Sequence, residues 1–497
     1  MRPAFSETSL TCFADLVVVV IPLYCSDFDK LAHGPRGTEA KHSIHVYRFH
    51  PHDGSMLLLN AHGKRDRLEN PAFTVHHPRL PVVYTCTENI YENGRIVAYR
   101  IGADGALTEL GSVDAGGTST CYMNISRDQK YILAVNYWDS TLVVIPIDLE
   151  TGNFTGPIQN TYDPKDGKGV VSAGRTSGGV NHSDNDAETI KTRQADPHSH
   201  CLELDPYEGT IAYVPCLGKD LIREFYFDRQ KGEIGFEMCT SPSGLDYGMP
   251  NGPRYVEFHP TLPIAYVINE FSATIGVFEI NEDLLKEMSQ ASEKGQDMTQ
   301  YKGRSTLRLI QSIKTIPSAF PVELTTCSRI CVHKSGRFVL VGNRGHDSIA
   351  IFKVTQKGSK RGELKCISYF HTGGETPRHF EFDASGQWLL VANQDTNSVA
   401  VFNFNLSSGA ITFTGKEYGV PSPNYVCCCP MGGDEPFFGR SNEVEVSVAT
   451  GMEEDAGSES DHSTVPTEMP SQKDLIEELK RAREEIASLK EQLNAKA

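Results

Sequence analysis

A pattern that recurs about every 50 residues constrains the fold of this chain most strongly. Each unit opens with a short alternating strand that ends in a turn, and a second and a third strand follow. The opening strands begin at Phe73, Tyr122, Cys201, Tyr255, Arg329 and His379, and the second strands end at Thr87, Asn136, Cys216, Asn269, Asn343 and Asn393. Short strands repeated at this period are typical of propeller blades, whose radial packing protects strand edges. The repeat therefore predicts an all-β propeller of at least six blades.

A seventh blade can be assembled from the two ends of the repeat region. Apolar segments at residues 16–21, 44–49 and 56–59 have strand character but lack an inner strand. Residues 424–429 can supply that strand, which would close the ring and tie down both ends. We therefore predict a seven-bladed β-propeller over residues 10–430, with an open β-solenoid as the alternative.

The residues after the propeller differ in composition. Residues 431–470 are acidic, rich in Ser and contain Pro, which predicts a disordered linker. In residues 471–497, Leu479, Ile486 and Leu493 recur every seven residues, as a heptad requires. This indicates a short C-terminal coiled-coil helix that self-associates or binds a partner. The alternative is a lone charged helix.

Charge and cysteine content limit the classes of partner. The net charge of -17 argues against nucleic acid or an acidic membrane as a partner. The thirteen cysteines show no CxxC or Cys/His metal spacing, so we expect reduced thiols, no metal and a cytoplasmic location. The apolar run at residues 16–23 is too short to span a bilayer. Two insertions, residues 160–196 and 283–305, are interpreted as a long loop and a solvated helical excursion.

One mouth of the central channel collects polar residues. Inner strands begin and second strands end at the same rim, because the two strands are antiparallel. The residues at these positions are Ala72, Cys121, His200, Arg254, Ser328 and Arg378, together with Glu88, Tyr137, Leu217, Glu270, Arg344 and Gln394. Arginine binds carboxylates and phosphates, and His and Glu carry protons. Their convergence predicts a site for an anionic small molecule. Alternatively, each is structural: a His bonded to a strand backbone, an Arg–Glu salt bridge, or solvated rim charges.

Several stretches resemble the lactonase family of seven-bladed propellers, of the 6-phosphogluconolactonase type, over roughly residues 10–430. They are Arg193-Gln-Ala-Asp-Pro-His-Ser-His, Asn251-Gly-Pro-Arg-Tyr, Val267-Ile-Asn-Glu, Asn343-Arg-Gly-His-Asp-Ser-Ile, Thr376-Pro-Arg-His-Phe and Ala392-Asn-Gln-Asp. The family also includes carboxy-muconate cyclases, which act on a lactone without metal. The resemblance implies a catalytic set of His200, Arg254, Glu270 and Arg344. The substrate-binding residues that we expect are His198, His346, Arg378 and Gln394. Cys216-Leu-Gly stands where the family often has Asp-Leu-Gly.

The function that this resemblance implies is hydrolysis of a sugar-acid lactone without metal or cofactor. We expect 6-phosphogluconolactone, a substrate of the pentose phosphate pathway, as the first choice. Glu270 or His200 would move protons, Arg254 and Arg344 would stabilise the oxyanion or bind the substrate anion, and Arg378 would hold phosphate. Two alternatives stay open: a carboxy-muconate-type cycloisomerase that uses the same residues, and a non-catalytic scaffold that works through its coiled coil.

Overall fold

The computed structural model describes residues 16–20, 42–63, 70–89, 92–163, 190–191 and 193–430. These residues form seven four-stranded antiparallel sheets. Each sheet contacts its two neighbours around a ring, which confirms the predicted seven-bladed β-propeller. The propeller belongs to a compact unit of Met1–Phe438. The predicted linker and coiled-coil helix, residues 431–470 and 471–497, lie outside the described residues.

The blades follow the chain, and each sheet runs from an inner to an outer strand. Blade 1 contains β1 (Leu16–Val20), β2 (Ile44–His50) and β3 (Ser55–His62), and blade 2 contains β4 (Pro71–His76), β5 (Val82–Thr87), β6 (Asn93–Ile101) and β7 (Leu107–Thr118). Blade 3 contains β8 (Thr120–Ile125), β9 (Tyr131–Asn136), β10 (Leu142–Pro146) and β11 (Asn160–Tyr162), and blade 4 contains β12 (Glu203–Leu204), β13 (Ile211–Cys216), β14 (Leu221–Asp228) and β15 (Glu233–Pro242). Blade 5 contains β16 (Pro253–Phe258), β17 (Ile264–Asn269), β18 (Thr274–Ile280) and β19 (Leu307–Lys314). Blade 6 contains β20 (Thr326–Val332), β21 (Phe338–Arg344), β22 (Ser348–Val354) and β23 (Leu364–His371). Blade 7 contains β24 (Pro377–Phe382), β25 (Trp388–Asn393), β26 (Ser398–Phe404) and β27 (Ile411–Gly419), and the last strand is β28 (Tyr425–Cys429).

The ring is closed by β28, which serves as the inner strand of blade 1. It pairs antiparallel with β1, with Val18 opposite Cys427. It also contacts the inner strands β24 and β4 of the two neighbouring blades. The predicted closure by the C-terminal strand is therefore confirmed.

The core lies between the blades. The second strands β9, β13 and β17 are buried along their whole length, because each is covered on both faces by neighbouring blades. This explains their nearly continuous apolar sequence. The outer strand β27 instead alternates exposed and partly buried residues, as an edge strand does. No helix in the described part of the chain is long and apolar enough to cross a membrane.

Buried asparagines at second-strand ends connect successive blades. The side-chain amide of each donates to a backbone carbonyl in or just after the outer strand of the preceding blade. The pairs are Asn136 with Ala115 (2.9 Å), Asn269 with Ser243 (3.1 Å), Asn343 with Thr315 (2.9 Å) and Asn393 with Thr372 (3.1 Å). The Asn side chain that recurs at these positions thus forms a hydrogen bond between neighbouring blades.

The insertion after β18 forms the helix α1 (Glu282–Glu293), followed by a 3-10 helix at Met298–Tyr301. Asn281 caps α1 by accepting a hydrogen bond from the backbone N–H of Leu284. Leu284, Leu285 and Met288 are buried in the apolar cluster of blades 4 and 5. The expected helix is confirmed, but its placement in solvent was wrong, because these apolar residues form a buried stripe. Two further 3-10 helices lie at Leu217–Lys219 and Val322–Leu324.

Candidate functional site

Bulges at the start of the inner strands aim side chains into one mouth of the channel. In five blades the pairing of the inner with the second strand shifts register there. Ala72, Cys121, Arg254 and Arg378 lie at four of these shifts. A bulge re-aims a side chain, so this residue and the next can both face the channel.

Glu270 is the centre of the polar cluster at this mouth. It follows β17, is fully buried, and its backbone N–H donates to Gly252 O at 2.7 Å. Its Oε1 accepts from Arg193 Nη1 at 2.6 Å and lies 2.8 Å from Arg344 Nη2. Its Oε2 lies 3.6 Å from Arg254 Nη1. One carboxylate therefore holds three guanidinium groups.

The charge state of Glu270 follows from these neighbours. Burial alone would raise the pKa of its carboxyl, but Arg193, Arg344 and Arg254 together hold that pKa well below its usual range. The group is therefore ionised at neutral pH and is a weak base. This arrangement suits a carboxylate that positions arginines better than one that carries protons.

His200 is bonded to the same cluster through Arg254. Arg254 Nη1 donates to His200 Nε2, and because a guanidinium has no acceptor, Nε2 must be the unprotonated nitrogen. The ring proton is therefore on Nδ1, which lies 3.8 Å from Cys121 Sγ. Burial, and then the charge of Arg254, hold the pKa of His200 well below its usual range. His200 is a neutral imidazole whose basic nitrogen faces the arginines.

Two more arginines line the mouth. Arg344 is almost fully buried, and its Nη2 donates to Cys327 O at 2.8 Å. Burial lowers the pKa of Arg344 to about 10, against the opposing effect of Glu270. Arg378 is partly buried, and burial lowers the pKa of its guanidinium as well. Arg344 Nε and Arg378 Nη1 are buried and without a hydrogen-bond partner among the described residues.

Arg193 belongs to the site in the structure, although the sequence predicted no role for it. Besides Glu270, its guanidinium contacts the Tyr137 hydroxyl at 3.3 Å and lies 5.0 Å over the Phe271 ring. It comes from the end of the insertion before blade 4, which has no counterpart in the repeat. The available signal was its place in the Arg193–His200 stretch that leads directly into an inner strand.

The remaining predicted residues have different surroundings. His198 stacks on Tyr137 at 4.6 Å, and its Nδ1 bonds to Arg193 O at 2.7 Å, so it supports the segment that carries Arg193. Burial lowers the pKa of His198 to about 4. Gln394 is buried at the rim. His346 bonds to Ser348 Oγ at 2.6 Å and packs on Phe320 and on Tyr369 of the outer strand β23, so its contacts are with the periphery of the blade.

Below this cluster, aromatic side chains from different inner strands narrow the channel. Phe73 contacts Tyr122 and Tyr425, with ring centroids 4.6 and 4.4 Å apart, and Tyr122 contacts Tyr255 at 5.5 Å. The aromatic rings therefore pack together across several inner strands. Within the described ranges, no group of three or more His, Cys, Asp or Glu side chains is arranged to hold a metal ion.

The family model described as "Lactonase, 7-bladed beta-propeller" matches residues 31–428. The chain belongs to this lactonase family. Within it, the chain is 28% identical over 358 residues to a 6-phosphogluconolactonase of Bacillus subtilis (strain 168), covering 72% of this chain and 86% of that protein. It is 25% identical over 379 residues to a 6-phosphogluconolactonase of Formosa agariphila, covering 75% and 92% of the two chains.

A solved structure shares the fold of this lactonase-family chain. The periplasmic gluconolactonase of Pseudomonas aeruginosa superimposes with a TM-score of 0.63 at 22% identity, covering 84% of this chain and 99% of that one. At this identity the likeness concerns the fold alone.

Proposed function

We propose that this protein hydrolyses a sugar-acid lactone, with 6-phosphogluconolactone as the preferred substrate. The observation that carries the proposal is the neutral His200 beside Arg254 and Arg344, whose guanidinium groups Glu270 holds in place. Membership of the lactonase family and relatives named 6-phosphogluconolactonase support it.

In the proposed reaction, a water oxygen attacks the lactone carbonyl carbon, and the carbonyl π electrons move to its oxygen. Arg254 and Arg344 donate to the resulting oxyanion, a charge that develops only in the transition state and is best stabilised by preorganised donors. As Arg254 turns to the oxyanion, His200 Nε2 becomes free to take the proton of the attacking water. The oxyanion electrons then re-form the carbonyl, the ring C–O bond breaks with its electron pair on the ring oxygen, and His200 returns the proton to that oxygen. The product is the open hydroxy acid.

Glu270 has a positioning role in this scheme. Its pKa lies too low for proton transfer near neutrality, and its contacts are occupied by three arginines. It fixes Arg193 and Arg344 before substrate arrives, so that only Arg254, which gives up its bond to His200, has to reorient during the reaction. We therefore favour His200 over Glu270 as the general base.

The test is an assay of freshly prepared 6-phosphogluconolactone, with acid release followed at several enzyme concentrations and corrected for spontaneous opening. We expect a rate proportional to enzyme and unchanged by chelators. A rate equal to the spontaneous one at every concentration would reject the proposal, and the cycloisomerase and scaffold hypotheses would then take its place.

A further inference from the structure

The inner strand of blade 7 presents two consecutive polar side chains to the channel. The register of β24 shifts between Pro377 and His379, and Arg378 is the residue within the shift. The His379 ring stacks on Tyr425 of β28 with centroids 3.8 Å apart. The charges of Arg329, Arg254 and Arg378, from three different inner strands, all act on it. His379 therefore lies against the neighbouring inner strand β28, directly after Arg378.

Both side chains carry an N–H group that is buried without a partner. The backbone N–H of Val426 donates to His379 Nδ1 at 3.4 Å, so Nδ1 accepts and the ring proton is on Nε2. His379 is 2% exposed, and its Nε2 has no hydrogen-bond partner among the described residues. Arg378 Nη1 is also buried without a hydrogen-bond partner among the described residues. Buried donors without partners are rare and costly in folded proteins, and a ligand that accepts from them accounts for both.

Arg378 also differs from the other arginines of the mouth. Arg193, Arg254 and Arg344 each form an ion pair with Glu270. Within the described part of the chain, Arg378 forms none. Its side chain is therefore available to an anion, whereas the other three are already bound to a carboxylate.

We propose that Arg378 Nη1 and His379 Nε2 form a subsite for the phosphate monoester end of the substrate. The sugar part of this proposal rests on the function proposed above, and the phosphate part does not. A phosphate dianion offers three acceptor oxygens, enough for both donors, and Arg is suited to phosphate. The bulge is what makes the subsite, because it turns two neighbouring residues to one side of the strand.

Calorimetric binding of 6-phosphogluconate and of gluconate to the full chain tests this subsite without turnover. Both ligands carry the same carboxylate, so the ratio of their affinities isolates the phosphate. We expect the wild type to bind 6-phosphogluconate at least about 10-fold more tightly, the effect of a hydrogen bond to a charged group. Arg378→Met should remove this preference. His379→Phe keeps the ring on Tyr425 and should reduce the preference, and His379→Gln, which restores an N–H donor, should recover part of it.

Arg308→Met is the matched control, because Arg308 is exposed on the outer strand β19 and pairs with Glu279 of β18. It should leave the affinity ratio unchanged. Equal affinity of the wild type for both ligands, or a full preference in folded Arg378→Met and His379→Phe, overturns the subsite. If the preference is found but no lactone is hydrolysed, the subsite stands and the lactonase proposal fails. If lactone is hydrolysed and the preference is absent, the reverse holds.

Discussion

Single residues at the mouth show what the repeat can and cannot predict. Aligning the blades placed His200, Arg254, Glu270 and Arg344 on one rim, and the structure brings them into one bonded cluster. The hydrogen bonds and ion pairs between them could not be predicted from the sequence, because they depend on which guanidinium group reaches which oxygen atom. Arg193 was missed because its segment occupies no position in the repeat.

The pH dependence of catalysis tests the assignment of His200 as the base. The pKa of the free-enzyme imidazole lies below 6.5, so the neutral form is retained as pH falls through that value. We expect the acid limb of kcat/KM to lie below pH 6.5. His200→Gln should lower kcat by about 100-fold or more and abolish that limb.

Glu270→Gln is the matched comparison for this assignment. It removes the charge that holds three arginines, so kcat should also fall by about 100-fold, within the range for lost electrostatic preorganisation. The acid limb of kcat/KM should nevertheless persist in this variant. An acid limb that survives in His200→Gln and vanishes in Glu270→Gln would assign the base to Glu270.

At the scale of elements, apolar runs and turn residues in the sequence predicted the strands. They did not predict the side-chain bonds that join one element to another. The side-chain bonds from Asn343 and its counterparts to the preceding blade use a residue type that sequence reasoning associates with turns. Bulges were also missed, because one extra residue leaves little trace in an alternating pattern. The segment that carries Arg193 likewise depends on close packing at Gly218, whose N–H donates to Pro197 O at 2.7 Å.

Substitution of Gly218 tests whether docking of this segment supports activity. A Cβ at Gly218 would lie 1.7 Å from Asp196 O, so Gly218→Ala must displace the segment. We expect kcat/KM to fall by about 10- to 100-fold, because a shift of about 1 Å in a positioning group has effects of that size. The melting temperature should change little, since the blades keep their own core. Gly156→Ala is the control, because no atom lies within 4 Å of its added Cβ. Equal activity of both variants would show that docking is not needed.

At the scale of the molecule, the number of blades was predictable because the six repeated units and the strands at the two ends of the propeller must share one packing scheme. Closure by residues 424–429 was predictable for the same reason, since the N-terminal unit lacked an inner strand. The coiled-coil helix and its self-association stay predictions, because no repeated unit of the propeller constrains them. Light scattering of a chain without residues 440–497 tests them, and an unchanged number of chains per particle would remove self-association.

Two truncations test the closure of the ring. Deletion of residues 424–497 removes β28, and deletion of residues 440–497 retains it. Tyr425, Val426, Cys427 and Cys429 are buried, and burial of an apolar side chain of Val size or larger contributes about 1.5–3 kcal/mol, so the strand contributes several kcal/mol. That is comparable to the whole net stability of a typical domain, about 5–15 kcal/mol.

The shorter chain should therefore lose its cooperative thermal transition, since β1 would also lose its partner along the full strand. The chain that ends at residue 439 should melt within about 2 °C of the full protein, because it keeps all 28 described strands and a change of about 1 kcal/mol moves the melting temperature of a 250-residue domain by only about 2–4 °C, and that of a larger one by less. Lactonase activity should follow the same division, because Tyr425 of β28 supports the ring of His379, which belongs to the proposed phosphate subsite. A cooperative melt of the shorter chain near the wild-type temperature would mean that six blades and three strands suffice, and that β28 does not close the ring.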